Sequence, residues 1–206
     1  MQENIDHWYD GLFYDKLIAP NQDKLLRQIK NLIEPNSKII DVGCGTGRFA
    51  LSIHEKCESV LGIDLSKRNI DRANFLLSKN PQNRITFAHK SLNEITSNTA
   101  NHFDYAVITY VLHEINENER VKLLKNVSQL ANKIIIGDYN TKQTNRFWRW
   151  LNEIVEFAAG KEHYRNYKNF ISNGGLRTLA EKAELKIISE IKDRPLTSHL
   201  VVLSNK

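Results

Sequence analysis

The chain is poor in cysteine and proline, and it has no long apolar run and no block of like charge. Two cysteines in 206 residues, Cys44 and Cys57, are too few for a disulfide framework. Neither has a partner at metal-ligand spacing, so both read as reduced thiols and no metal is expected. No apolar run approaches the roughly 20 residues that cross a bilayer. The start, Met1-Gln2-Glu3-Asn4, is polar and unlike a signal peptide, so a cytoplasmic location is expected. The four prolines are nowhere adjacent, and no repeat, low-complexity tract or linker breaks the chain. One domain over residues 1–206 is the expectation. Basic residues outnumber acidic ones by 29 to 24 but are dispersed, a mild bias toward acidic surfaces that does not amount to a nucleic-acid signature. What remains is ordinary globular composition, 41% hydrophobic and 26% charged, long enough to bury a sizeable core unaided.

The most informative stretch is Lys38-Ile39-Ile40-Asp41-Val42-Gly43-Cys44-Gly45-Thr46-Gly47. Its first half is a near-continuous apolar run, as expected of a central strand covered on both faces. Its second half has glycine at every other position, which permits positive φ and close approach of a ligand to backbone. Arg48-Phe49-Ala50-Leu51-Ser52-Ile53 then begins a helix whose first N–H groups face whatever lies over the loop. A dinucleotide fingerprint needs a small residue three places after Gly45, where Arg48 stands. A P-loop would close on Gly-Lys-Ser/Thr, which is missing. Asp41 repels phosphate and suits a cation. S-adenosylmethionine (SAM) carries a sulfonium and an ammonium group and no phosphate. The run Asp-Val-Gly-Cys-Gly-Thr-Gly resembles motif I of the class I SAM-dependent methyltransferases.

That resemblance continues along the chain. Ser59-Val60-Leu61-Gly62-Ile63-Asp64 is a second strand ending in an acid about twenty residues after the glycine loop, where a ribose-binding carboxylate belongs. A third strand, Arg84 to Ala88, is followed by Ser91 and Leu92 where the family often has an acid for the adenine amino group. Ser91 keeps the acceptor without the charge, and Leu92 would pack on the ring. The fourth strand, Phe103 to Thr109, runs into Tyr110-Val111-Leu112-His113-Glu114-Ile115, similar to the family's Val-Leu-His-His segment. Asn116 caps the next helix with Glu119 as its box partner. The fifth strand, Lys133 to Asp138, and closing strands at Ile187 to Ile191 and His199 to Leu203 complete seven, with helices between. The resemblance implies a doubly wound, Rossmann-like α/β sheet whose last strand is antiparallel and inserted between the fifth and sixth. It also implies a SAM site made from Asp41, Gly43, Cys44, Gly45, Gly47, Asp64, Leu65, Ser91, Leu92 and Thr109, leaving S-adenosylhomocysteine as product. An aromatic N-terminal stretch, His7 to Asp15, is similar to the family's lid over residues 1–20. There Tyr14 or Tyr9 would approach the methionine end of SAM.

The acceptor side is less defined. His113 and Asp138 sit at neighbouring strand ends and are the candidate catalytic pair, although a helix-start or packing role is the simpler reading of His113. Tyr139, His163 and Tyr164 are weaker candidates for lining a pocket. No Asn- or Asp-Pro-Pro-Tyr follows the fourth strand, which excludes the exocyclic-amine pattern, and no Pro-Cys pair suggests a pyrimidine C5 nucleophile. Residues 144–168 form an insertion. Within it Phe147, Leu151, Ile154, Val155 and Ala158 share one helical face, and core burial alone would account for them. Trp148, Trp150 and Phe157 fall outside that stripe, with Arg146 and Arg149 between, a pattern that suits a pocket cover or a membrane interface across 146–157. The expectation is methyl transfer to a small, lipophilic, quinone- or phospholipid-like acceptor. An RNA methyltransferase and a non-catalytic SAM-binding protein are the alternatives.

Overall fold

The computed structural model describes residues 19–96, 102–143, 145–192 and 197–205. In chain order the elements are α1 (Ala19–Leu32), β1 (Lys38–Val42), α2 (Arg48–Ile53), β2 (Ser59–Asp64), α3 (Lys67–Lys79), β3 (Ile85–His89), α4 (Leu92–Thr96) and β4 (Phe103–Thr109). They continue with α5 (Glu117–Ser128), β5 (Ala131–Tyr139), α6 (Arg146–Ala158), α7 (Lys161–Ser172), α8 (Gly175–Lys182), β6 (Lys186–Lys192) and β7 (Ser198–Ser204).

The strands make one seven-stranded sheet in the order β3-β2-β1-β4-β5-β7-β6. β7 runs antiparallel to both β5 and β6, and the other pairings are parallel, as the resemblance implies. Strand residues alternate between two apolar layers because successive side chains point to opposite faces. Ile40, Val42, Ala106, Ile108, Ile134, Ile136, Val201 and Leu203 face the layer closed by α4, α5, α7 and α8. Ile39, Tyr105, Val107, Ile135, Leu200 and Val202 face the layer closed by α1, α2 and α3. Burial on both faces explains why the central strands lack polar alternation. The chain crosses over between β1 and β4, so their carboxyl ends border the crevice where open α/β sheets take ligands.

α1 begins at Ala19, so Asn21 lies inside the helix and does not cap it. α2 stops at Ile53, and turns carry the chain to Lys56. Asn116 caps α5 through the Asn118 N–H at 3.2 Å, but the Glu119 carboxylate turns outward, 3.8 Å from Lys122. Lys161–Ser172 is a complete helix, α7, and the following helix is the short α8 starting at Gly175. The polar spelling of Lys161 to Tyr167 conceals an inward face of His163, Asn166, Tyr167 and Phe170.

Of the two readings of α6, core burial does not describe it: Phe147 is 60% and Ile154 42% exposed, with Leu151 and Val155 half-buried. The one fully buried α6 side chain is Glu156, which meets Tyr139 from β5 and His163 from α7. That polar anchor fixes the rotation of the helix. Phe147, Trp150, Ile154 and Phe157, at i, i+3, i+7 and i+10, are thereby left as an exposed apolar face.

Candidate functional site

The glycine loop leaves β1 as a tight cradle. The Gly43 and Cys44 N–H groups both donate to Ile63 O, at 2.9 and 3.0 Å, tying the loop to the end of β2. Gly43 has φ +72, and a Cβ there would come within 2.4 Å of Val111. The segment after β4 thus packs against bare backbone, a closeness only glycine permits. Gly45, at φ +54, has open space where its Cβ would be, and its N–H donates to Asp64 Oδ2 at 2.8 Å. Asp64 Oδ1 accepts the Ser66 N–H at 2.8 Å, so the expected ribose acid also braces the loop. Gly47, at φ +79, stands where Asn or Ser would usually cap α2.

Asp41 is 1% exposed, and among the described residues neither carboxylate oxygen has a hydrogen-bond partner. Burial, and then the nearby Asp64 charge, push its pKa up to about 8. An orphaned buried carboxylate beneath a glycine loop is a costly arrangement that a cationic ligand group relieves. The α-ammonium of SAM is such a group, and Asp64 offers the acceptor for a ribose diol. The cradle residues therefore fit SAM. Burial raises the Cys44 thiol far above its usual range, which makes that side chain an inert wall.

The remaining expected contacts are placed less evenly. Leu65 follows Asp64 and is 52% exposed at the cradle's outer edge, with its carbonyl 2.9 Å from His89 Nε2. Ser91 caps α4 with Glu94: both its N–H and its hydroxyl meet Glu94 Oε2 at 2.7 Å. Leu92 is buried in the apolar layer, and Thr109 is half-buried at the end of β4. Tyr14, Tyr9 and the N-terminal lid lie outside the described residues.

On the acceptor side, His113 and Asp138 do come together. Asp138 is fully buried at the end of β5. Its carboxylate meets His113 Nδ1 at 2.7 Å and accepts backbone N–H bonds from Leu112, His113 and Tyr139. With its acceptors so occupied, Asp138 positions His113. Tyr110 precedes this segment at φ +54, an uncommon conformation for a bulky residue, held by its N–H to Gly137 O and its hydroxyl to Ser198 Oγ. His113 presents Nε2 to Glu156 Oε1 at 3.6 Å and Glu114 Oε1 at 3.9 Å. Burial disfavours its charge, but Asp138 and then Glu156 outweigh that and raise its pKa to about 9. His163 closes the group, with Nε2 2.8 Å from Glu156 Oε2 and 3.7 Å from Glu114 Oε1. Burial also disfavours a charged Glu156, yet the two histidines hold its pKa below the usual carboxylate range. Tyr139 donates its hydroxyl to Glu156 Oε1 at 2.8 Å and stands edge-on to the His113 ring.

The sequence reading missed Glu156 and the convergence of His163 on His113. It also missed Arg120, 1% exposed, which donates to Ile115 O, Asn169 Oδ1 and Asn166 O and clamps α5 to α7. No local pattern marks these residues, because their partners lie on other elements.

Residues 39–133, which carry the cradle and the β4 edge, match the family described as a methyltransferase domain. That match, together with the fold, supports a class I SAM-dependent methyltransferase domain over this stretch. The chain is similar to O-methyltransferase 4 of Dictyostelium discoideum, with 27% identity over 98% of this chain and 60% of that protein. It is 35% identical to the human mitochondrial ubiquinone biosynthesis O-methyltransferase over 48% of this chain and 28% of that one. RNA methyltransferases are among its other relatives. The fold also matches a Synechocystis magnesium protoporphyrin IX methyltransferase solved with bound S-adenosylhomocysteine. That match has a TM-score of 0.67 and 16% identity, and covers 95% of this chain and 89% of that one. This chain therefore spans somewhat under two thirds of the Dictyostelium relative and about a quarter of the human one.

Proposed function

We propose that the protein binds SAM in the β1–α2 cradle and transfers its methyl group to a hydroxyl oxygen of a small, lipophilic acceptor of the quinol type. When bound, SAM supplies a methyl already activated on a sulfonium, so the protein mainly aligns the partners and excludes water. Asp41 receives the ammonium, Asp64 the ribose hydroxyls, and Leu65 and Leu92 border the adenine. An oxygen nucleophile arrives carrying a proton. Glu156, held charged beside His113, is the acceptor-side group that can take it; His113, fixed by Asp138 and with its pKa raised to about 9, takes it only above that pH.

The observation behind the acceptor class is the division of α6 into two faces. Glu156 turns inward to the histidines, while Phe147, Trp150, Ile154 and Phe157 turn outward, 42–64% exposed. An amphipathic helix of this kind beside an active site suits capture of an apolar substrate, or contact with the membrane surface that holds it. Relatives named as O-methyltransferases support oxygen as the methylated atom. The dispersed basic residues give little support to an RNA acceptor.

The test pairs Trp150→Ala and Phe157→Ala with liposome flotation, quinol turnover and SAM titration. Lipid binding or turnover should fall while SAM affinity stays near wild type. Unchanged lipid binding and turnover in both variants would remove the lipophilic acceptor from the account.

A further inference from the structure

The cluster beyond His113 has a composition that proton transfer alone does not require. Two imidazole nitrogens and two carboxylates from three separate segments converge on one small volume. His113 and Glu114 come from the loop after β4, Glu156 from α6 and His163 from α7. One ligand atom each from His113, Glu114 and His163 lie within 4.8 Å of one another. Glu156 adds a carboxylate 2.8 Å from His163 Nε2 and 3.6 Å from His113 Nε2. The structure assigns this cluster as a binding site for one divalent first-row metal ion, held by His113, Glu114 and His163, with the Glu156 carboxylate beside them.

Three features favour it. His113 Nδ1 is tied to the buried Asp138 carboxylate at 2.7 Å, which turns Nε2 and its lone pair toward the cluster. A carboxylate orienting the far nitrogen of a ligating histidine is the usual outer support of a metal site. The distances come next. Four ligands at about 2.0–2.1 Å around a tetrahedral ion stand about 3.3 Å apart. The gaps from the His113 and His163 nitrogens to Glu114 Oε1, 3.9 and 3.7 Å, are slightly wider than that, so the site closes with small side-chain movements. Charge is the third. Once His113 gives up its proton to become a ligand, two neutral imidazoles and two carboxylates carry −2, which a divalent cation cancels inside a mostly buried group. Mixed nitrogen and oxygen donors suit Zn²⁺ or Mn²⁺ better than Mg²⁺. Glu114, its side chain 39% exposed, marks the side from which an ion enters and where an acceptor oxygen would meet it.

This inference deepens the proposed methyl transfer. An ion here would bind the acceptor hydroxyl and lower its pKa, so that its proton leaves to solvent on the open Glu114 side, and His113 would then serve as ligand rather than base. Its test is independent of that reading, because it needs neither SAM nor acceptor. Protein dialysed against chelator is titrated with Zn²⁺, Mn²⁺ and Mg²⁺ by calorimetry, and with Co²⁺ by visible absorption. One equivalent of Zn²⁺ or Mn²⁺ should bind, tighter than Mg²⁺, and Co²⁺ should give d–d bands of a nitrogen–oxygen site. Glu114→Gln and His163→Gln should each weaken Zn²⁺ binding at least tenfold, while the remote His102→Gln should not. Glu114 is half-exposed, so its variant should fold even if those at buried positions do not. Absence of stoichiometric binding by any of these ions, or binding that survives both ligand variants, overturns the assignment and leaves a purely proton-bridged cluster.

Discussion

Replacing Asp41 with asparagine separates what the cradle costs the free protein from what it gives the bound one. Burial and the Asp64 charge raise the Asp41 pKa from 3.8 to about 8. The folded protein therefore keeps a proton that the unfolded chain releases, and stability without ligand must fall as pH rises between those two values. Each pH unit within the window removes about 1.4 kcal/mol, so the loss at pH 7 is about 4 kcal/mol. For a chain of this length that amounts to roughly 4 °C of melting temperature per pH unit. Asparagine keeps the shape and cannot ionise. In thermal melts from about pH 5 to 8 without ligand, Asp41→Asn should hold its melting temperature while wild type declines. At neutral pH the variant should be the more stable of the two. SAM should reverse the ranking, because its ammonium needs the carboxylate. A hydrogen bond to a charged group is worth about 1.5–3 kcal/mol, so the variant should bind SAM at least about tenfold more weakly. Parallel melting profiles together with equal SAM affinity would refute the reasoning.

Asp64→Ala should lower SAM affinity at least about tenfold, and it should also lower the melting temperature of the free protein, since the carboxylate accepts the Gly45 and Ser66 N–H groups. Calorimetry and a melt on one sample check both, and unchanged affinity would place the ribose elsewhere. Arg120→Ala should cost about 3 kcal/mol or more in urea denaturation, because it strands acceptors of Ile115, Asn166 and Asn169 in the interior. Arg120→Lys should recover little, as a single ammonium cannot reach three divergent acceptors; a loss under about 1 kcal/mol would mean the clamp is dispensable.

The central strands were legible because burial on both faces leaves continuous apolar spelling, as in Ile39-Ile40 and Ile134-Ile135-Ile136. The cradle was legible because its chemistry is local: Asp41, three glycines and a helix start stand within a dozen residues. The acceptor side was not, because its geometry is assembled from afar. His113 meets Asp138 across β4 and β5, and Glu156 and His163 arrive from a helix pair whose rotation no periodicity fixes. Hydrophobic spacing in α6 gave a stripe without saying which way it faces; a single buried glutamate decided that. Arg120, spelled within Glu117-Asn118-Glu119-Arg120, reads as surface and is buried only because α7 supplies backbone and amide oxygens.

The most direct test of the central claim is a calorimetric titration of the purified protein with SAM, S-adenosylhomocysteine, NAD and ATP under one set of conditions. The account predicts one equivalent of SAM or S-adenosylhomocysteine bound at micromolar strength and no binding of NAD or ATP, whose phosphates meet Asp41 and no phosphate-binding residue. NAD binding tighter than SAM would contradict it.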